Sequence, residues 1–244
     1  MKFNRFRILA YLLFTGIVFI GSTSVWADSH EAEGNMSEEK PSITGWFQID
    51  VDSLGPYFLI GASHPLGGGI SFDSNIYING NPGFGGTRQF LGEYDMGITF
   101  PVVANDSMAL LLTPMLGVGF NYATADGPYA LYPQIFAILP AGKIFGFHWT
   151  ISTFKTLFDE DSLNEVYNRT YITYALSDVV AVGPQFESVM GLGDDGGLWA
   201  LNFGPRLNLN YGKNNTLGLY VGYETKKMDE ETGLTGRMNF TRRW

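Results

Sequence analysis

Two side chains that often act as nucleophile, general base or soft metal ligand are missing or scarce in this sequence, namely cysteine and histidine. The 244 residues contain three histidines and no cysteine, which excludes thiolate catalysis, disulfides and cysteine-based zinc or iron–sulfur sites. A serine hydrolase needs a serine and a histidine within hydrogen-bond reach. His148 and Ser152 would lie about 13 Å apart along an extended strand, and the adjacent Ser63 and His64 would point to opposite faces. We therefore expect no catalytic residue, no cofactor and no metal site.

A second kind of chemistry is carried by charged and amide side chains that recur at alternate positions in otherwise apolar segments. This spacing places them on one face of a strand. Walls of opposite charge orient polar solutes in a pore, but the same groups can also pair with one another and fill the space between strands, and both interpretations stay open. The residues concerned are Asp50, Asp52, Asp73, Asn75, Glu93, Asp95, Arg169, Gln185, Glu187, Arg206, Glu224, Arg237 and Arg243.

In the segments that contain these side chains, apolar and polar residues alternate with a period of two. In 199–211, apolar residues such as Leu201 and Phe203 alternate with Asn202 and Arg206, which is typical of a strand whose two faces meet different surroundings. The same pattern predicts twelve strands, at 43–53, 56–63, 68–79, 87–101, 107–123, 128–140, 143–157, 166–176, 179–191, 197–211, 215–226 and 234–244. Ten strands remain open if the first two do not cross a membrane.

The length and polarity of these strands favour a transmembrane barrel over a soluble sandwich. Soluble strands cluster near five or six residues, whereas a tilted membrane strand needs about 9–11. Only 16% of all residues are charged, and the polar faces carry mainly Gly, Ser, Thr and Asn. Aromatic residues gather near strand ends, as interfacial girdles do, at Phe90, Tyr122, Trp199 and Tyr223 on one level and Phe100, Phe145, Tyr211 and Trp244 on the other. We predict an all-β, antiparallel up-and-down transmembrane barrel of about 12 strands.

In such a barrel the apolar face of each strand turns towards lipid. For the seventh strand this predicts that Phe145, Phe147, Trp149 and Ile151 face outward and that His148 and Thr150 face the lumen.

Connection lengths give an independent test of this architecture, because outer-membrane barrels have short periplasmic turns and longer external loops. The predicted short turns at one end are 102–106, 141–143, 177–178 and 212–215. The predicted loops at the other end are 80–86, 124–127, 158–165, 193–196 and 227–233, and they are rich in Asp and Glu. No EF-hand spacing is present, so solvated acidic loops are favoured over calcium sites.

The N-terminal residues predict export from the cytoplasm. Lys2, Arg5 and Arg7 precede the apolar run 8–21, and Ala27 ends a Val-x-Ala step, which is the pattern of a cleaved signal peptide. We expect a signal peptide at 1–27, a flexible acidic tether at 28–42 and the barrel at 43–244. The formal net charge of −9 excludes a nucleic-acid partner, since phosphate binding needs a basic surface.

These features together resemble a Gram-negative outer-membrane β-barrel protein. The match includes the terminal pattern Gly236-x-Met238-x-Phe240-x-x-x-Trp244, although Arg242 stands where an apolar residue is usual. The resemblance implies that Met238, Phe240 and Trp244 form an assembly signal read by the barrel-assembly machinery, and that the barrel contacts outer-membrane lipid and lipopolysaccharide.

In size and strand number the sequence is similar to small solute channels with twelve strands, such as the nucleoside-specific channel family. This similarity implies passive diffusion of small polar solutes, and we expect the narrowest part at Asp73, Glu93, Asp95, Arg206 and Arg237. Two alternatives remain: a structural or surface-interaction barrel with a plugged lumen and acidic external loops, and an outer-membrane lipid hydrolase.

Overall fold

The computed structural model describes residues 42–52, 55–79, 91–122, 127–193, 196–227 and 232–244. The predicted signal peptide, all but the last residue of the tether and the 80–86 loop lie outside the described residues. The strands are β1 (Thr44–Asp52), β2 (Gly55–Gly67), β3 (Ile70–Asn79), β4 (Leu91–Asn105), β5 (Met108–Asn121), β6 (Pro128–Ala141), β7 (Ile144–Thr153), β8 (Asn164–Ala175), β9 (Val180–Leu192), β10 (Gly197–Tyr211), β11 (Asn215–Lys227) and β12 (Gly233–Arg243).

Each strand pairs antiparallel with the next one in sequence, and β12 pairs antiparallel with β1, so the sheet closes on itself. At the closure Trp46 lies opposite Arg243 and Ile49 opposite Phe240. The predicted twelve-stranded antiparallel barrel is confirmed, and the ten-stranded alternative is wrong because β1 and β2 are full members of the sheet. In the described part of the chain, no helix is long and apolar enough to cross a membrane.

The connections follow the predicted parity. The turns are short at the mouth of the barrel where β1 begins and β12 finishes. These turns are 68–69, 106–107, 142–143, 176–179 and 212–214. A longer connection, 154–163, lies at the other end. The predicted turn at 102–106 differs, because β4 continues to Asn105. The Asn105 side chain accepts hydrogen bonds from the backbone N–H groups of Ser107 and Met108 at 3.0 and 3.1 Å, which fixes the turn later than predicted.

Large apolar side chains cover much of the outer surface. Ile60, Met96, Leu116, Phe203 and Val221 are between 47% and 57% exposed, on strands whose alternate residues line the interior. A soluble domain rarely exposes so large an apolar surface, whereas a barrel in lipid requires it.

The predicted orientation of β7 is wrong. Phe145, Phe147 and Trp149 line the interior, so His148 and Thr150 lie on the outer surface. The turn at 142–143 fixes the register of β6 and β7 and sets Phe136 directly opposite Trp149. Directly opposed residues share a face of the sheet, and Phe136 lines the interior. The hairpin therefore decides which face of β7 turns inward, since a one-residue slip would reverse it.

Candidate channel lumen

A cavity of about 1220 Å³ occupies the barrel interior. Its lining extends from Lys143 and Arg243, beside the short turns, to Glu165 and Glu224, beside the longer loops. Of the predicted lumen residues, the following line this cavity: Asp50, Asp52, Asp73, Asn75, Glu93, Arg169, Glu187, Arg206, Glu224, Arg237 and Arg243. Asp95 and Gln185 are almost completely buried, at 2% and 1% exposure.

Three carboxylates and two guanidinium groups form a cluster across the lumen, which we call the arginine cluster (Asp50, Asp52, Arg169, Glu187 and Arg237). Arg169 Nη1 donates to Asp50 Oδ2 at 3.0 Å, although β8 and β1 are not neighbours in the sheet. Arg237 Nη2 lies 2.8 Å from Asp52 Oδ2 and 3.2 Å from Glu187 Oε2. Since buried charges are stable only when paired and hydrogen-bonded, these contacts hold opposite walls of the barrel together.

Arg206 lies beside this cluster and is held by amides. Its guanidinium donates to Asn208 Oδ1, Gln185 Oε1 and Asn239 Oδ1 at 2.8, 2.7 and 2.6 Å. The guanidinium also lies 4.1 Å from the centre of the Tyr171 ring, a cation–π distance. Gln185 in turn donates to Glu187 Oε1 at 2.6 Å, so one amide connects Arg206 to the arginine cluster.

Gly218 on β11 leaves the room that Arg206 occupies. A Cβ atom at this position would overlap Arg206 Nη2 and Asn239 Oδ1.

We therefore expect Gly218→Ala to displace the Arg206 guanidinium and to lower the free energy of unfolding by about 1–3 kcal/mol, the usual cost of overpacking. Urea-induced unfolding of the barrel in lipid vesicles measures this difference. Gly233→Ala is the control, since no atom lies within 4 Å of a Cβ there. Equal effects of the two substitutions would contradict the expectation.

Two acidic side chains on β4 share one amide. Gln134 Nε2 donates to Glu93 Oε1 at 2.9 Å and to Asp95 Oδ1 at 2.7 Å. Trp149 Nε1 fixes the orientation of that amide by donating to Gln134 Oε1 at 2.9 Å. In the described ranges, no group of three or more His, Cys, Asp or Glu residues is placed to hold a metal ion.

The residues that we predicted at the narrowest part of the lumen do not form one group of contacts. Arg206 and Arg237 belong to one charged region, as described above, and Glu93 and Asp95 are bound by Gln134. Asp73 accepts hydrogen bonds from Ser71 Oγ at 2.8 Å and from the Thr99 backbone N–H at 3.2 Å. The acids of β3 and β4 and the arginines of β8, β10 and β12 thus have different partners.

An aromatic wall that the alternation of residues did not predict lines the lumen on β6 to β8. Phe136 stacks on Trp149 with ring centres 5.5 Å apart, and Phe147 stacks on Tyr171 at 4.9 Å. Its other members are Phe145 and Tyr167. The sequence did contain a signal for this wall, because the two-residue turn at 142–143 sets the register that brings β7's aromatic face inward.

His148 has partners unlike those of a hydrolytic site. Its two ring nitrogens lie 2.7 Å from the hydroxyl oxygens of Thr170 and Thr150, on the outer surface. Neither contact is with a serine, so this histidine gives the lipid-hydrolase alternative no Ser–His pair.

The three residues of the predicted assembly signal lie on the outer face or at the end of β12. Met238 is 47% exposed and Trp244 is 54% exposed, while the Phe240 ring stacks on Tyr211 at 6.3 Å. Trp244 exchanges two backbone hydrogen bonds of 3.0 Å with Gly45, and its ring fills the space that a side chain on Gly45 would need.

We expect Trp244→Ala to reduce severalfold the amount of folded barrel recovered from the membrane fraction, because the ring is lost from the closing seam and from the signal that the resemblance implies. Heat-modifiable migration in denaturing gels measures the folded fraction. The control is Arg243→Ala, which removes the neighbouring inward-facing side chain. Unchanged recovery of the Trp244 variant would contradict an assembly role.

Comparisons with known proteins agree with this geometry at the level of fold. No protein-family model and no curated protein matches the sequence. The NanC porin structure superimposes with a TM-score of 0.50, at 10% identity over 82% of this chain and 99% of that one. The chain has an outer-membrane β-barrel fold.

Two further solved structures are similar. One, from work on the in-meso crystallization of membrane proteins, gives a TM-score of 0.52 at 10% identity over 82% of this chain and 84% of that one. The KdgM porin gives a TM-score of 0.47 at 11% identity, covering 82% and 98%. At these identities the similarity concerns the fold alone.

Proposed function

We propose that this barrel is a passive outer-membrane channel for small polar solutes. The observation that carries the proposal is the cavity of about 1220 Å³, whose lining reaches from the short turns to the longer loops. Barrels of eight strands are filled by side chains, whereas barrels of 16 or more hold wide channels. Twelve strands leave room for a cavity, and the polar lining can replace water around a solute that lacks strong charge.

The charges of the lining support transport of neutral or zwitterionic solutes. Six basic and seven acidic side chains line the cavity. In the arginine cluster, two guanidinium groups lie within 3.5 Å of three carboxylates, which leaves a formal charge of only −1. Ion selectivity in wide pores comes from rings of one charge. A nearly balanced lining therefore favours neither cations nor anions.

We expect the wild-type channel to conduct in planar lipid bilayers with a potassium-to-chloride permeability ratio near one. The full secreted chain is reconstituted, single-channel currents are recorded, and the ratio is taken from reversal potentials in a salt gradient. Liposome swelling with uncharged solutes of increasing size then gives the size limit. A folded protein that produces no current and no swelling would overturn the proposal.

The alternative of a plugged structural barrel is favoured by one observation, the arginine cluster that crosses the lumen. Under that alternative the wild type is silent, and a variant that lacks Arg237 conducts because its cross-lumen contacts are lost. Conduction by the wild type would therefore support the channel and contradict the plugged structural barrel.

A further inference from the structure

Two acidic side chains on β4, which we call the carboxyl pair (Glu93 and Asp95), occupy one small space at the lumen wall. They are two residues apart on the same face of the strand and are 6% and 2% exposed. Gln134 Nε2 donates to an oxygen of each, at 2.9 and 2.7 Å. Both oxygens lie over Gly117 on β5, where a Cβ atom would overlap Asp95 Oδ1 and approach Glu93 Oε1 to 2.9 Å. The two acids are therefore close neighbours.

The direction of the Gln134 amide is fixed by Trp149. An indole N–H group can only donate, and Trp149 Nε1 lies 2.9 Å from Gln134 Oε1. The amide oxygen must therefore face the indole, and the NH2 group must face the carboxyl pair. An amide supplies two N–H donors and no positive charge, so each acid gains one neutral donor and the pair stays uncompensated.

The titratable groups that face the carboxyl pair from the neighbouring strands are phenols. Tyr77 on β3 lies directly opposite Glu93. The rings of Tyr129 and Tyr132 on β6 cover Gly119, which lies opposite Glu93 on β5, and their hydroxyl oxygens lie 2.6 Å apart. Phenols stay neutral up to about pH 10, so these rings add no charge to the site.

No basic side chain balances the carboxyl pair. In the described part of the chain, neither acid forms an ion pair with Lys, Arg or His. The guanidinium of Arg169 lies against the Trp149 ring, 5.5 Å from its centre, but its ion pairs are with Asp50 and Glu187. Two neighbouring carboxylates without a cation resist ionising together.

We propose that the carboxyl pair holds one proton in common and releases it as the pH rises, so that the charge of the lumen wall depends on pH. Glu93 lines the cavity, and the departing proton therefore leaves a further negative charge at the lumen. The consequence for conduction rests on the channel function proposed above.

The pH range of this change separates it from other titrations. A carboxylate without an acidic neighbour loses its proton near about pH 4, and tyrosine and lysine lose theirs near about pH 10. Among the residues that the structure describes, no histidine lines the cavity. A change in lumen charge between about pH 5.5 and pH 9 is therefore expected from the carboxyl pair.

The experiment records the full secreted chain in planar bilayers across this pH range. We expect the potassium-to-chloride permeability ratio of the wild type to rise about twofold in one step, because carboxylates at a pore wall favour cations. Asp95→Asn should remove the step, since Glu93 then has no acidic neighbour and is ionised throughout the range. Asp73→Asn is the matched control. It removes a lumenal carboxylate bound by a hydroxyl and a backbone N–H, and the step should remain.

Gln134→Lys tests the same explanation with both acids in place. An ammonium group beside the carboxyl pair allows both acids to ionise, so the step should disappear. This variant replaces Asp95→Asn if the latter does not fold, which heat-modifiable migration shows.

Infrared difference spectra of the folded barrel between the two ends of the pH range test the proton independently of conduction. We expect a carboxylic-acid C=O band to be lost as the pH rises in the wild type and in Asp73→Asn, and no such band in Asp95→Asn. A conducting wild type without the step, or a band that survives both Asp95→Asn and Gln134→Lys, would overturn the proposal. A silent wild type would contradict the channel alone, and the infrared band would then decide whether the carboxyl pair holds the proton.

Discussion

Asp50→Asn is expected to lower the free energy of unfolding by about 1.5–3 kcal/mol, the range for a hydrogen bond to a charged group, because Arg169 and Arg237 lose one carboxylate and keep others. The Asp50 carboxylate lies 3.0 Å from Arg169 Nη1 and 3.5 Å from Arg237 Nη1, and its side chain is 5% exposed. Asparagine keeps the shape but removes the charge that both guanidinium groups share. Reversible urea unfolding in lipid vesicles, followed by tryptophan fluorescence, measures the loss.

Two variants show whether charge, rather than polarity, causes this loss. Asp73→Asn removes a lumenal carboxylate held by a hydroxyl and a backbone N–H, and we expect a cost of about 1 kcal/mol. The double variant Asp50→Leu/Arg169→Leu removes one charge of each sign and should recover much of the stability, because replacing a whole buried pair is often neutral. A double variant less stable than Asp50→Asn would contradict the ion-pair explanation.

Arg237→Ala is expected to raise single-channel conductance and to make the lumen cation-selective. Arg237 contacts Asp50, Asp52 and Glu187, and these carboxylates lose their shared cation when it is removed. The large side chain also leaves the centre of the lumen. Because rings of carboxylates favour cations, the potassium-to-chloride permeability ratio should rise severalfold in bilayer recordings.

Arg243→Ala is the matched control for this experiment. Arg243 lies on the same strand and the same face as Arg237 and also lines the cavity, but it is exposed at the end beside the short turns. A charge in wide, hydrated surroundings is screened by salt, so its removal should change the ratio little. Equal changes in both variants would mean that the arginine cluster does not set the selectivity.

The alternation of residues predicted the strands and most of the lumen because side-chain parity is a local property of a strand. Leu217 and Leu219 on β11, for example, oppose Thr216 and Gly218, and the structure keeps this division. On β7 the rule failed, since lumenal aromatic side chains are as apolar as lipid-facing ones. There the register set by the turn at 142–143 decided the orientation.

Partner choice inside the lumen could not be predicted from parity. The pattern placed Arg169, Arg206 and Arg237 on inward faces, but it could not distinguish the ion pair of Arg169 with Asp50 from the amide cradle of Arg206. Those partners come from strands that are far apart in sequence and on different parts of the barrel. These partners become evident only in the closed barrel, because its diameter sets the distance that each side chain must span.

The closing seam between β1 and β12 has a kinetic consequence. Thr241 bonds to Gln48 across 193 positions of the chain, so this contact forms only after every intervening hairpin is present. Until then two strand edges expose backbone groups that hydrocarbon cannot satisfy, and contacts between distant residues are slow to form. Insertion should therefore proceed without a stable half-built intermediate in the bilayer. The hydrogen bond between Arg169 and Asp50 joins β8 to β1, which lie on either side of that seam. It can therefore slow the separation of β1 from β12.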